Sequence, residues 1–423
     1  MLRDRYDNDL STTSDAVRDH YIVGVDRVLS GAADMAAPFE AAVAEDEGFA
    51  LGFVGLARAL VLSGDMAAAK AAMGQAVALT EGKSGREASH VNAMALLFKD
   101  KAMESLAAVR EHVQTWPRDV IIAQLATSVF GLIGFSGQAA REASLLAYTE
   151  SLMPHYGDDW WMLSQHAFSM CEVGQLKAAG DMIDRSLAIK SDHAHAAHVR
   201  SHVFYEEGNL ADGIGYLEGW LADYERRGLM HGHLSWHVAL WALEAGDVGK
   251  MWSTIDADVK PDVAQGLPIN ILTDTASILY RAELAGQDVP AERWAHVSDY
   301  AAKVFPKVGN SFIDMHAALA HAMAGRNDLL EAYMSDAKGF AGDVVQDCAS
   351  AFDAIVRQSW GEATAAFSAA LKDDARLGGS RAQRDLLEFG LVNVLLRQGK
   401  GEEAERIIGM RRPLVAHGVH IAH

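Results

Sequence analysis

Seven histidines crowd one stretch of this chain: His193, His195, His198, His202, His231, His233 and His237, out of 18 in the whole sequence. Two pairs, His198/His202 and His233/His237, are spaced i, i+4. On an α-helix that spacing puts both imidazoles on one face, about one turn apart. Two such faces on neighbouring helices can bring three or four imidazole nitrogens to a point, which suits a divalent metal. Carboxylates nearby, Asp274 and Asp314, could complete an open site, and imidazole with one carboxylate fits zinc or non-haem iron. Two other readings stand beside this one: a metal-free polar pocket, and buried histidines with no chemical duty. Trp236 and Trp241, with Trp220 and Trp252 nearby, are read as core packing before a substrate cage.

The elements that must position these groups are helices. Alanine is abundant, strand signals are nearly absent, and Gly-polar turns recur. They fall at Gly64-Asp65, Lys99-Asp100, Gly137-Gln138, Gly174-Gln175, Gly208-Asn209, Gly246-Asp247, Gly286-Gln287, Gly325-Arg326, Gly361-Glu362 and Gly399-Lys400, spaced 34 to 40 residues apart. One turn per unit at that period predicts an all-α, tetratricopeptide-like solenoid of about ten helix pairs in a right-handed superhelix. Small residues recur seven before and five after the turn: Ala57 and Ala69, Ala167 and Ala179, Ala354 and Ala366, Val392 and Ala404. Met251 and Leu330 break the pattern. The expected divisions are a helical cap over 1–47, repeats over 48–376, a closing helix pair over 377–412 and a loosely held tail over 413–423, all in one domain.

Counting back from the turns puts His198, His202, His233, His237 and His316 at offsets that face the concave groove, whereas His166 falls on the packing side. His193, His195 and His231 sit near helix starts and carry no role in this reading. No Gly-rich phosphate loop or G-x-S-x-G elbow is present, and Cys171 and Cys348 lie in apolar helices as expected core residues.

The composition narrows the partners. With 57 acids against 37 bases the net charge is −20, which argues against nucleic acid and anionic membrane surfaces. Two cysteines, a charged N-terminus and no run of about 18 apolar residues point to a cytoplasmic protein that spans no membrane.

Several blocks resemble the tetratricopeptide repeat protein 38 family: HAAHVRSHVFYEEGNLADGIGYL, HLSWHVALWALEAGD, TDTASILYRAELAG, FIDMHAALAHAMAG and LGGSRAQRD. They span most of residues 150 to 400. The Arg200-Ser201 pair departs from the small apolar residues usual there. The resemblance implies the fold and a polar set on His198, His202, His233, Trp236, His237, Asp274, Asp314, His316, Gln383, Arg384 and Asp385. It implies no defined reaction.

The functional expectation is an enzyme acting on a small polar substrate, with hydrolase or lyase chemistry on one zinc or iron ion held by His198, His202, His233 and His237. His316 or Asp274 would act as general base, Arg384 would grip a substrate carboxylate or oxyanion, Asp385 would be a further catalytic residue, and Trp236, Asp314 and Gln383 would contact substrate. The alternative is a non-catalytic scaffold binding a peptide or protein segment in its groove. Apolar end faces also make a homodimer an expectation.

Overall fold

The computed structural model describes residues 2–410. Among them lie 22 α-helices, one π-helical turn over Ile255–Val259 and a single two-residue strand pairing, Leu2–Arg3 with Asp9–Leu10. The described residues form an all-α, tetratricopeptide-like solenoid of antiparallel helix pairs. The expected tail over 413–423 and the last residues of the closing pair lie outside the described residues.

The turns explain how the sequence makes this array. Gly64, Gly137, Gly174, Gly208, Gly246, Gly286, Gly325 and Gly399 all have positive φ, as does Asp100. That left-handed conformation ends a helix at little cost when no Cβ is present. Helix starts are capped where the sequence allows: Asp65 accepts from the Ala68 N–H at 2.9 Å, and Asp247 from Lys250 at 3.0 Å. One turn is not where the glycine is. Gln358, not Gly361, takes positive φ, at 57°. Counted from Gln358, the small residues seven before and five after are Ala351 and Ala363, and both are fully buried. The close helix crossing therefore sets the register, and the glycine is incidental there.

The unit before Gly137 is also irregular. Its first helix stops after one turn, Val120–Gln124, and residues 125–140 run as successive turns. Phe130 packs on Phe135 at 5.3 Å and on Phe312 at 5.5 Å between ring centroids, which anchors this loop inside the array. Gly379 faces the same aromatic group. A Cβ there would come within 2.3 Å of the Phe312 ring, and its φ is +70°.

Both ends of the array are tied to its middle. At the N-terminal end, helix Asp15–Ser30 and the turn after it meet helix Ala194–Glu207 and the segment before helix His231–Glu244. His193 bonds to the Leu29 carbonyl at 3.1 Å, Leu229 N–H donates to the Gly31 carbonyl at 3.1 Å, and Arg227 forks onto Asp34. At the C-terminal end, helix Arg381–Arg397 begins with a capping box formed by Ser380 and Gln383. It is held by Arg381 N–H to Glu172 at 3.0 Å and by Tyr205 Oη–H to Asp385 at 3.0 Å. Arg141 reaches across to the Gly379 carbonyl at 2.6 Å. No helix among the described residues is long and apolar enough to cross a membrane.

Candidate functional site

The two His helices are Ala194–Glu207 and His231–Glu244. Each carries its pair at i, i+4, and the array sets the two faces against each other. His198 and His202 have ring centroids 4.4 Å apart, His198 and His233 4.7 Å, and His202 and His237 4.9 Å. One nitrogen from each of the four lies within 4.8 Å of the others. All four are buried. The Nε2 of His198 sits 2.9 Å from Nε2 of His202 and 2.9 Å from Nε2 of His233.

Hydrogen bonding alone does not satisfy this arrangement well. The Nδ1–H of His233 donates to Asp274 Oδ2 at 2.7 Å, with the Asn270 amide alongside at 3.2 Å from the same nitrogen. For a neutral ring, that leaves His233 Nε2 as a lone pair aimed at His198. His198 Nε2 carries either one proton or one lone pair, so it cannot serve two neighbouring nitrogens equally. His237 makes no hydrogen bond through either nitrogen among the described residues. A cation taking the lone pairs resolves both problems. Zinc–nitrogen bonds of about 2.0–2.1 Å in a tetrahedron separate ligand nitrogens by about 3.3 Å, slightly more than the two 2.9 Å approaches and inside the 4.8 Å that bounds the set. The carboxylate behind His233 is the usual arrangement for orienting a metal-bound imidazole.

The electrostatics favour the ligand form. Burial, then the neighbouring histidines, push His198 and His237 well below the usual imidazole range, so both are neutral. Burial raises the carboxyl of Asp274, against the pull of His233.

Beside the cluster lies a cavity of about 690 Å³. His198 and His233 line it, together with Arg58, Gln165, His195, Asn270 and Gln383 on its polar side. The irregular loop supplies an apolar part of the wall, through Val129, Phe130, Leu132 and Phe135. Two rings of the four are thus shared between the cluster and the cavity, and His202 and His237 stand behind them.

The other expected residues are placed differently. Trp236 is fully buried, stacked on His233 at 5.3 Å, and is part of the core. His316 is fully buried: its Nδ1 bonds the Phe312 carbonyl of its own helix at 2.8 Å, and burial lowers it to about 4. Asp314 accepts the Gly309 N–H at 2.8 Å and is raised to about 7 by burial. None of these three is part of the cavity wall, nor is Asp274, whose place is behind His233. Gln383 does reach the wall, with its carbonyl oxygen bound by Ser380.

Arg384 needs the clearest correction. Its guanidinium is spent on Asp374 at 3.2 Å, the Gly378 and Gly379 carbonyls at 3.3 and 2.7 Å, and Glu142. Asp385 receives the Tyr205 hydroxyl. Both hold the closing helix in place, and neither is offered to a ligand. Read by position in the repeat, a residue's face can be guessed, but the partner it meets from 242 residues away cannot.

Two groups were not singled out from the sequence. His195 and Arg58 line the cavity, the first having been set aside for its place near a helix start. A second cluster joins His90, His112 and Asp119. Asp119 accepts from His90 at 2.9 Å, from His112 at 3.1 Å and from Arg86 at 2.6 Å. These partners hold its carboxyl well below the usual range despite burial. The guanidinium on the same oxygen as His112 fills the place a cation would take, so this cluster is an anion hub that anchors the N-terminal cap through Arg86 to the Asp9 carbonyl.

No family model matches the chain. Among solved structures, the human IFIT1 dimer with m7Gppp-AAAA is similar over 96% of each chain, at 12% identity and a TM-score of 0.46. The yeast Tom70 structure is similar over 95% of this chain and 93% of that one, at 12% identity and a TM-score of 0.34. The P58(IPK) TPR domain matches over 93% and 98%, at 14% identity and a TM-score of 0.20. Likeness at this level leaves the fold class resting on the helix pairs and turns described above.

Proposed function

We propose that this chain is a binding protein, a helical-repeat scaffold that takes a small polar ligand into its interior cavity beside a divalent metal held by histidine. Zinc or iron is the metal, and His198, His202, His233 and His237 are its ligands. The observation that carries the reading is the approach of three Nε2 atoms, two pairs at 2.9 Å, on rings of which two also line the cavity. The carboxylate of Asp274 behind His233 and the neutral state of His198 and His237 support it. The net charge of −20 supports a small ligand over nucleic acid.

Binding is preferred over catalysis because the groups expected to act as base and oxyanion grip, His316, Asp274 and Arg384, are turned to other partners. One observation keeps a catalytic reading alive. His237 is the deepest of the four, fully buried, while His198 and His233 reach the cavity. Were His237 to stay out of the coordination shell, three nitrogens would leave a position open toward the cavity, where a bound water has its pKa lowered to about 7.

Cobalt(II) titration of the full, untagged chain tests the metal reading. Expected is saturation at one equivalent, with the strong visible absorption of a four-coordinate site. That signal should vanish in His198→Ala and His233→Ala and persist in His316→Ala. Absorption that never saturates, or that is equal in all variants, would remove the metal from the account.

A further inference from the structure

Arg58 is a cation on the cavity wall that forms no ion pair among the described residues, the acid on the same wall being Asp100. It projects from helix Ala50–Leu62, and its one hydrogen bond among the described residues runs from Nε to Gln124 Oε1 at 3.3 Å. No described carboxylate lies within ion-pair distance of it, and the two terminal nitrogens of its fork make no hydrogen bond to described residues. The other arginine on the wall, Arg376, is fully committed: to Asp343 at 2.7 Å, to the Gly137 carbonyl and to the Phe340 carbonyl. Arg141 and Arg384 are spent on the closing helix. In a chain with 57 acids and 37 bases, an inward arginine left unpaired is a matter of placement, because acidic partners are plentiful elsewhere.

The side chain is half-buried, and its fork is available to the cavity instead of being sealed in the packed core. Burial lowers Arg58 to about 10, so it is still charged at neutral pH. His195, next along the wall, is lowered to about 4 by burial, by Arg58 and by His233. It is therefore a neutral imidazole near the cation, able to donate one N–H. The cavity thus has a fixed positive fork in one part of its wall and lone-pair-bearing imidazoles, His198 and His233, in another.

We infer that the cavity takes a ligand bearing an oxyanion, a carboxylate or a phosphate, which Arg58 grips through its planar fork with help from His195. The inference rests on the ligand-binding reading above and names the class of ligand that site takes. It also replaces Arg384 in the role the sequence suggested for it. A carboxylate or phosphate oxygen pair matches the two parallel N–H groups of a guanidinium, which a lysine ammonium cannot reproduce.

Calorimetric titration of the full chain with succinate, with inorganic phosphate and with neutral succinamide provides the test. At low ionic strength, at least one anion should bind saturably, and the anion that does so separates the carboxylate from the phosphate source. Succinamide should not bind. Arg58→Gln should weaken the anion by about 10–100-fold, the range for loss of a charge-assisted pair. Arg58→Lys should fall between the two and serves where the glutamine variant does not purify. Undiminished anion binding in Arg58→Gln, equal binding of succinamide, or no heat from either anion overturns the inference. Cobalt titration of the same variants separates the two claims. Metal held by Arg58→Gln without an anion effect defeats this inference alone. Anion binding that depends on Arg58 in a chain that takes no metal defeats the metal reading alone.

Discussion

Replacing Asp274 offers the sharpest check on the His cluster, because its asparagine and alanine variants separate metal affinity from the stability of the metal-free fold. Asp274 Oδ2 accepts the Nδ1–H of His233 at 2.7 Å, and both side chains are almost fully buried, at 3% and 5% exposed. That bond selects the tautomer whose Nε2 lone pair faces His198. The other carboxylate oxygen has no partner among the described residues, and burial raises the carboxyl. Loss of a partner behind a metal-bound imidazole costs about 10–100-fold in affinity, or about 1.4–2.7 kcal/mol. Asp274→Asn keeps the volume and a weaker acceptor, so it should sit at the low end. Asp274→Ala frees His233 to adopt either tautomer and should sit at the high end. The metal-free melting temperature should stay near wild type in Asp274→Asn, whose amide oxygen still accepts from His233, and fall in Asp274→Ala, which leaves that buried N–H without an acceptor. Zinc competition against a chromogenic chelator, alongside thermal unfolding of the metal-free variants, measures both quantities. Equal zinc affinity in wild type and Asp274→Ala would mean that His233 does not bind the metal. An Asp274→Asn variant that loses metal-free stability but no zinc affinity would mark Asp274 as a plain structural residue.

Other substitutions test the corrected roles. Arg384→Ala should destabilise by about 2–4 kcal/mol, since it strips a buried ion network whose partners Glu142 and Asp374 are partly solvated. Thermal unfolding should show that loss, while cobalt binding in the variant that remains folded stays within about two-fold of wild type, a factor worth about 0.4 kcal/mol. Asp119→Asn should cost about 3–5 kcal/mol by leaving Arg86 and two histidines around a neutral amide. Because the folded carboxyl of Asp119 is held well below its ordinary value, its stabilisation is complete above the unfolded value of about 4 and is lost as pH falls toward the folded one. Denaturant unfolding from pH 7 downward should therefore show wild type converging on Asp119→Asn in acid, and a constant gap would contradict the hub. Arg58→Gln should melt at or above the wild-type temperature, and a clear loss of stability would mean that Arg58 has a structural partner.

The repeat was legible because each turn imposes a local demand that one residue type meets. Gly64, Gly174 and Gly246 all take the positive φ that their Gly-polar signatures imply, and Ala57, Ala69, Ala167 and Ala179 are buried at the expected crossings. Gln358 misled the reading because the close contact between helices, met by Ala351 and Ala363, outranks the preference for glycine. The four histidines were legible by the same periodicity, since i, i+4 spacing fixes a face. What depended on the return of the chain upon itself was not. Arg384 meets Glu142, and Arg58 shares a wall with His198, only because cap and closing helix dock on the middle of the array. His316 has the offset of a groove residue but is fully buried on Phe312. Residues 125–140 read as an ordinary repeat unit, yet their Phe130 and Phe135 are drawn inward to pack with Phe312.

Elemental analysis of the full chain, purified without an affinity tag and dialysed free of loose ions, decides whether the four histidines hold a metal. Expected is about one equivalent of zinc or iron per chain, lost in the His198→Ala/His233→Ala double variant. Less than about 0.2 equivalents of any transition metal, with none regained on adding Zn²⁺ or Fe²⁺, would contradict it.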